Sequence, residues 1–334
     1  MNDNLILEPG LRARVERCLG ETIQSVSPGC SGANSLVCRI ETASGPLALK
    51  SYPVLSADDR PRAQTEWAAL HFLRSQGLTA VPAPVAKDPL GNFLVMEWVD
   101  GAPVDRHSKD ELIQAADFLT AVFALSDAAG AEGFPPASGA CLSVAEIIRQ
   151  IEDRISMLEP VDLITKFLEQ QFFPALDAAK TQFRDALDHP EVLARSLRRL
   201  IPADFGFHNA LRRSDGSLVF IDFDYFGWDD PVKLTADFIL HPAMDLSKAD
   251  TRTFAARMQA ALPGDRDFAG RLRRRLPLYA LRWSLIILNP FRLARNFGPR
   301  VVSSAREGLL EARLRKAKSM LSPPATGDTH AKIT

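Results

Sequence analysis

The spacing of apolar positions changes near residue 100, and the change divides the chain. Up to about Trp98 short β-rich runs dominate, with one or two helices among them. "SLVCRIET" from Ser35 and "PLALKSY" from Pro46 flank "ASG", which predicts a hairpin. Between Ser56 and Gly77, Ala63, Glu66, Trp67, Leu70 and Leu73 recur at helical spacing, and Gly77 supplies the stop. "PLGNFLVMEWV" predicts a turn and an apolar strand, and Asp100–Pro103 breaks the chain as a hinge. Past that point the period is helical. Ser108 and Glu111 stand in capping-box spacing, helices are expected over Leu142–Leu158 and Asp162–Asp188, and several more follow Val232. One stretch interrupts them: "NALRR" and "SLVFIDF" flank Ser214-Asp215-Gly216, a hairpin signal. The pattern predicts an α+β chain with a small β-rich N-terminal lobe (1–99) and a larger, mostly helical C-terminal lobe (100–320). The polar residues at 321–334, "SPPATGDTHAKIT" among them, read as a disordered tail.

Composition adds exclusions. A net charge of −1 and 24% charged residues call for neither nucleic acid nor a membrane surface. Four cysteines with no C-x-x-C pair suit buried thiols in a reducing, cytoplasmic setting. The start, "MNDNLILEPG", carries acids and has no basic-then-apolar plan of a signal peptide. The longest apolar run, "LPLYALRWSLIILNPF", contains Arg282 and Asn289 and reads as a buried helix rather than a membrane span.

The chemistry concentrates around the second hairpin. Residues 204–206 spell Asp-Phe-Gly, the triplet that holds magnesium in protein kinases. Phosphoryl transfer needs a carboxylate near the attacking hydroxyl, oxygen ligands for magnesium and a cation on the nucleotide phosphates. In the kinase plan the first carboxylate precedes a metal-binding Asn by five residues, and the metal Asp comes later, from a hairpin. The only Asp-x-x-x-x-Asn in this chain is Asp204 to Asn209, and Asp222 ends the apolar strand that follows. Asp204 is therefore the catalytic-loop carboxylate and Asp222 the metal Asp. The Asp-Phe-Gly spelling is a coincidence. A run of Asp-rich turns is the plain alternative; the ordered combination through Asp230-Pro231 argues against it.

With these residues in place the chain resembles the aminoglycoside phosphotransferase/choline kinase-like family, which shares the protein-kinase fold. That family carries His-Gly-Asp-x-x-x-x-Asn, an apolar strand ending Ile-Asp-Trp/Phe-Glu/Asp, then Asp-Pro and a later Asp. Here these read Asp204 to Asn209, "FIDFD" from Phe220, Asp230-Pro231 and Asp237. The resemblance implies a two-lobe protein-kinase-like fold, ATP and Mg2+ as cofactors, Asp204 as base or hydroxyl-orienting group, and Asn209 and Asp222 as magnesium ligands. Asp224 is expected to turn away from Asp222 and serve the loop's hydrogen bonding, with substrate contact as the alternative. The family's His-Gly is Pro202-Ala203 here, which bears on loop geometry rather than reaction type. His208 is a candidate for touching substrate or, more plainly, a loop-packing side chain.

The nucleotide side lies earlier in the chain. Gly29, Ser31 and Gly32 sit in "PGCSGANSLVCRI", a loop able to bring backbone N–H groups to phosphates, or an ordinary glycine hairpin. Lys50 ends a strand and Glu66 lies inside the next helix, the kinase arrangement for holding nucleotide phosphates. "FLVMEWVDGAP" resembles the strand and hinge where adenine meets backbone, with Met96 flanking the pocket and Glu97 to Val99 supplying the groups.

The acceptor is expected to be a small-molecule hydroxyl, because Asp222 to Pro231 is too short for a peptide-docking activation segment. From Arg271 to Arg306 there are nine arginines and no Asp or Glu. A polycationic aminoglycoside wants the reverse charge. Part of the cluster, Arg282 above all, is a candidate for an anionic acceptor such as an acidic sugar; a solvated basic face is the plainer account for most of it. A non-catalytic nucleotide-binding scaffold is the rival function, and the presence of Lys50, Asp204, Asn209 and Asp222 counts against it.

Overall fold

A computed structural model describes residues 7–31, 35–52, 61–292 and 304–321. Gly32 and the tail beyond Leu321 therefore lie outside the described residues, as do Arg295 and Arg300. In chain order the first elements are α1 (Pro9–Leu19), β1 (Ser25–Ser31), β2 (Leu36–Thr42), β3 (Gly45–Ser51), α2 (Arg62–Ser75), β4 (Pro84–Lys87), β5 (Phe93–Glu97), β6 (Ala102–Pro103) and α3 (Lys109–Ala124). Then come α4 (Val144–Ser156), α5 (Asp162–Phe167), α6 (Phe173–Gln182), α7 (Arg184–Asp188), β7 (Arg199–Ile201), β8 (Ala210–Arg212), β9 (Leu218–Phe220) and β10 (Gly227–Asp229). α8 (Pro231–Leu240), α9 (Lys248–Ala260), α10 (Phe268–Ile287) and α11 (Ser304–Leu321) follow among the described residues. They fall into two compact units, residues 1–135 with 202–227 and residues 136–201 with 228–334.

The first unit is built on a five-stranded antiparallel sheet in the order β1-β2-β3-β5-β4. The expected hairpin is β2–β3, with Thr42 opposite Gly45 and Gly45 at φ 117°. Alternation on β2 sends Cys38 and Ile40 inward to a core shared with Val15, Leu49, Phe93 and Val95. β5 is apolar on both faces because neighbours cover both, so its run "FLVM" does not alternate. α2 buries Ala63, Glu66, Leu70 and Leu73 and ends before Gly77 at φ 85°. The capping box at α3 forms as spaced, Ser108 N–H donating to Glu111 at 2.7 Å and Glu111 N–H to Ser108 Oγ at 3.2 Å. The predicted hinge segment continues as β6, which pairs with β8 through Ala102↔Arg212 and Pro103↔Leu211.

The second unit is mostly helical, with the short β7–β10 pair. The helix expected over Asp162–Asp188 is interrupted by a π-turn at Leu168–Phe172 and again at Phe183. Pro174 is the reason for the first break. It has no N–H for the carbonyl of Gln170, and a wider turn accommodates the missing bond. No helix among the described residues is long and apolar enough to cross a membrane.

Candidate active site

The loop from Pro202 to Asn209 is shaped by its aromatic residues. Phe205 and Phe207 are buried; Phe205 packs at 4.7 Å from Phe220 and 5.7 Å from Phe118, and Phe207 stacks on His107 at 4.7 Å. Anchoring those two rings leaves Asp204 turned outward, its side chain 44% exposed. Phe205 of the Asp-Phe-Gly triplet is thus a core anchor. Just before it the Asp204 N–H bonds the Pro202 carbonyl at 2.9 Å, closing a γ-turn with Ala203 at φ 61°. Asn209 donates its Nδ2 to the Asp204 carbonyl at 2.9 Å, which orients the amide. His208 Nε2 lies 3.3 Å from Asp204 Oδ1, so the histidine does meet the predicted catalytic carboxylate.

The hairpin then brings Asp222 back to this loop. β8 and β9 pair Ala210 with Phe220, across a five-residue connection, Arg213 to Ser217, in which Gly216 takes φ 84°. That register extends by one bond, Ile221 N–H to the Asn209 carbonyl at 2.9 Å. Asn209 and Asp222 are neighbours for this reason. β9 ends at Phe220, and Asp222 adopts φ 68°. The expectation that Asp224 turns away from Asp222 needs correction. Residues two apart on a strand share a face, and here the strand has already ended. Asp224 lies close enough for the Asp222 charge to act on it. Burial first, then that charge, pushes its carboxyl up to about 7 against the pull of Lys50 and Arg62. Its Oδ2 accepts from Arg62 Nη1 of α2 at 2.5 Å, a partner outside the loop it was expected to serve.

Lys50 joins these elements to the sheet. Its Nζ reaches Glu66 Oε2 at 2.6 Å and Asp222 Oδ1 at 2.7 Å, with the lysine 4% exposed. Burial alone would lower its pKa, but the charges of Glu66, Asp222 and Asp224 outweigh it and the ammonium is held charged well above its usual range. Glu66 also accepts from the Tyr52 hydroxyl and, through Oε1, from the Phe223 N–H at 3.2 Å. Burial and then the Glu66 charge keep Tyr52 protonated far beyond its ordinary range. Tyr52 and Arg62 were not singled out from the sequence. Each carries a spacing signal: Tyr52 follows Lys50 by two residues, and Arg62 precedes Glu66 by four on one helical face.

Asn209 Oδ1 and Asp222 Oδ2 have no partner among the described residues, and both are the hard oxygen donors that magnesium takes. The residues present therefore fit the metal. Of the nucleotide-side candidates, Gly29 has a packing reason of its own, since a Cβ there would stand 2.7 Å from the Val37 carbonyl oxygen. Ser31 is the last residue of β1. Met96 and Val99 are buried at the end of β5. Glu97 gives its N–H to the Ala83 carbonyl at 2.8 Å and accepts from Ala83 N–H at 3.1 Å and Arg213 at 3.3 Å. Arg282 belongs to the second unit, where it meets Asp237 at 3.2 Å and Gln150 at 3.0 Å.

A family model described as "Phosphotransferase enzyme family" (APH) matches residues 25–276, and the chain belongs to that family. No curated protein matches the chain. Among solved structures it is similar to choline kinase LicA from Streptococcus pneumoniae, at 16% identity and a TM-score of 0.59 over 93% of this chain and 97% of that one. It is also similar to the amicoumacin kinase hAmiN in complex with AMP-PNP, Ca2+ and Ami, at 13% identity and TM-score 0.58 over 97% of each chain. The gentamicin complex of APH(2")-IIa resembles it at 16% identity and TM-score 0.58, over 99% of this chain and 100% of that one. At these identities the likeness establishes the protein-kinase-like fold.

Proposed function

We propose that this phosphotransferase moves the γ-phosphate of ATP, with Mg2+, to a hydroxyl of a small molecule. The observation that carries the reading is the Lys50 ammonium bonded at once to Glu66 and Asp222, with Asn209 fixed one residue from Asp222 by the hairpin. Lys50 takes the nucleotide phosphates, and Glu66, braced by Tyr52, holds its ammonium in place. Asp222 and Asn209 would hold the magnesium, which when bound offsets charge on the transferring phosphate. Asp204 orients the acceptor hydroxyl and receives its proton, with His208 Nε2 beside it at 3.3 Å. Arg62 and Asp224 brace the Asp222 turn from behind. Because the Glu97 N–H already bonds Ala83, backbone contact with adenine falls to the Glu97 carbonyl and to Val99.

The nucleotide belongs to the strand-rich N-terminal part and the acceptor to the helical remainder. An anionic alcohol such as an acidic sugar suits this chain better than a polycationic aminoglycoside. Magnesium, γ-labelled ATP and a metabolite extract, run beside an Asp204→Ala control, test the reading. Label passing to a small molecule only when Asp204 is present is the expected result. Failure to transfer label to any hydroxyl compound, with magnesium-ATP bound, would turn the reading to a nucleotide-binding scaffold.

A further inference from the structure

The second unit holds an arrangement that phosphoryl transfer does not use. Arg154 lies in the last turn of α4, four residues after Gln150, whose side chain accepts from Arg282 Nε on α10 at 3.0 Å. Beyond α10 a short turn, Asn289–Phe291, folds back to α4. Arg154 Nη1 donates to Asn289 Oδ1 at 3.2 Å, the Glu159 N–H bonds the Phe291 carbonyl at 2.9 Å, and Arg292 bridges to Leu158. Three guanidinium groups from three places in the sequence thus converge at the end of α4.

Their charges are balanced by the fold only at Arg282, where burial disfavours the charged form but the Asp237 carboxylate outweighs it. Asp237 is the acid that meets Arg282, and it is shared. Its Oδ1 also accepts from Trp283 at 2.8 Å, and its Oδ2 lies 3.1 Å from the buried Lys233. Neither Arg154 nor Arg292 has an ion-pair partner among the described residues. Arg282 is 7% exposed, and its Nη2 is left without an acceptor beside the open face of Gly139, where a Cβ would stand 3.5 Å away. Burial, followed by the charges of Arg282 and Arg292, pulls Arg154 down to about 10. Of the other arginines on α10, Arg271 and Arg275 meet Asp230, Arg271 also meets Asp265 and Arg274 meets Asp267, while Arg273 has no ion pair among the described residues. At the end of α4 two arginines without ion pairs among the described residues stand beside Arg282.

We propose that Arg154, Arg282 and Arg292 form a site in the second unit for an oxyanion, a carboxylate or phosphate carried by a small molecule. Guanidinium forks match such groups geometrically, and like charges held together with a single shared counter-charge weaken the fold until an anion neutralises them. The anion is that of a separate effector, held by these three side chains within the second unit.

Arg154→Met separates this from a purely structural role, in which the cation would serve the helix C-terminus. The thermal midpoint is measured for both proteins in millimolar inorganic phosphate or citrate, against chloride at matched ionic strength. The expected result is a midpoint for Arg154→Met at or above that of the wild type in chloride, and an anion-dependent rise seen only in the wild type. A midpoint below the wild type in chloride, or the same rise in both proteins, or a rise in neither, overturns the proposal. This test does not depend on phosphoryl transfer.

Discussion

Glu66→Gln is the sharpest probe of the network that holds Lys50. The glutamate is 1% exposed and its two oxygens serve three donors, Lys50 and Tyr52 on Oε2 and the Phe223 N–H on Oε1. Glutamine keeps the shape but has one acceptor oxygen and one donor group. If its oxygen stays with Lys50 and Tyr52, its NH2 confronts the Phe223 N–H, leaving a buried donor unsatisfied at a cost of about 1–3 kcal/mol. The reverse orientation confronts an ammonium and a phenol and is worse. Lys50 also loses one of its two counter-charges. Removing a partner from a buried pair costs about 3–5 kcal/mol, but Asp222 remains 2.7 Å away, so the lower end applies. The substitution should therefore destabilise the protein by about 3 kcal/mol, read as a lowered midpoint of urea unfolding. Transfer should fall by about a hundredfold. Tyr52→Phe is the control, because it removes one donor and leaves Glu66 charged, at about 1 kcal/mol. A Glu66→Gln midpoint indistinguishable from that of Tyr52→Phe would refute the donor accounting and leave Asp222 as the group that holds Lys50.

Three further expectations follow from single residues. Asp204→Asn should abolish transfer while magnesium-ATP binding, followed calorimetrically, stays within about twofold, since Lys50, Asn209 and Asp222 are untouched. Ala203 occupies φ 61°, where a Cβ costs about 1–2 kcal/mol, and glycine returns about half of that in unfolded-chain entropy. Ala203→Gly should accordingly raise stability by about 0.5–1 kcal/mol, checked by the urea midpoint, with transfer retained. Cys141 is fully buried, and burial pushes its thiol up to about 12, so it should resist alkylation at neutral pH until the protein unfolds; mass spectrometry of native and urea-treated protein reads this directly.

Much of the candidate site could be read along the chain because its parts are local. The Asp204–Asn209 spacing is set by one loop, the β8–β9 hairpin by Ser214-Asp215-Gly216, and the α3 start by Ser108 and Glu111. Each depends on hydrogen bonds between residues close in sequence, and those leave a pattern. The break in the helix after residue 167 was legible too, in Pro174, but a continuous apolar period masked it.

What the sequence by itself determined was therefore the α+β class and the hairpin that returns Asp222 to Asn209, and it singled out Lys50, Asp204, Asn209 and Asp222 as the candidate set. Only the tertiary structure decided which charges meet. Arg62 finds Asp224 across 162 residues, and Arg271 and Arg275 find Asp230 more than 40 residues away. The arginine-rich start of α10, Arg271 to Arg275, is mostly neutral in space, while Arg154, unremarked among ordinary helix residues, stands beside two other cations. The reason is physical. Local hydrogen bonding is written in spacing, but the field at a side chain is a sum over neighbours that packing alone assembles.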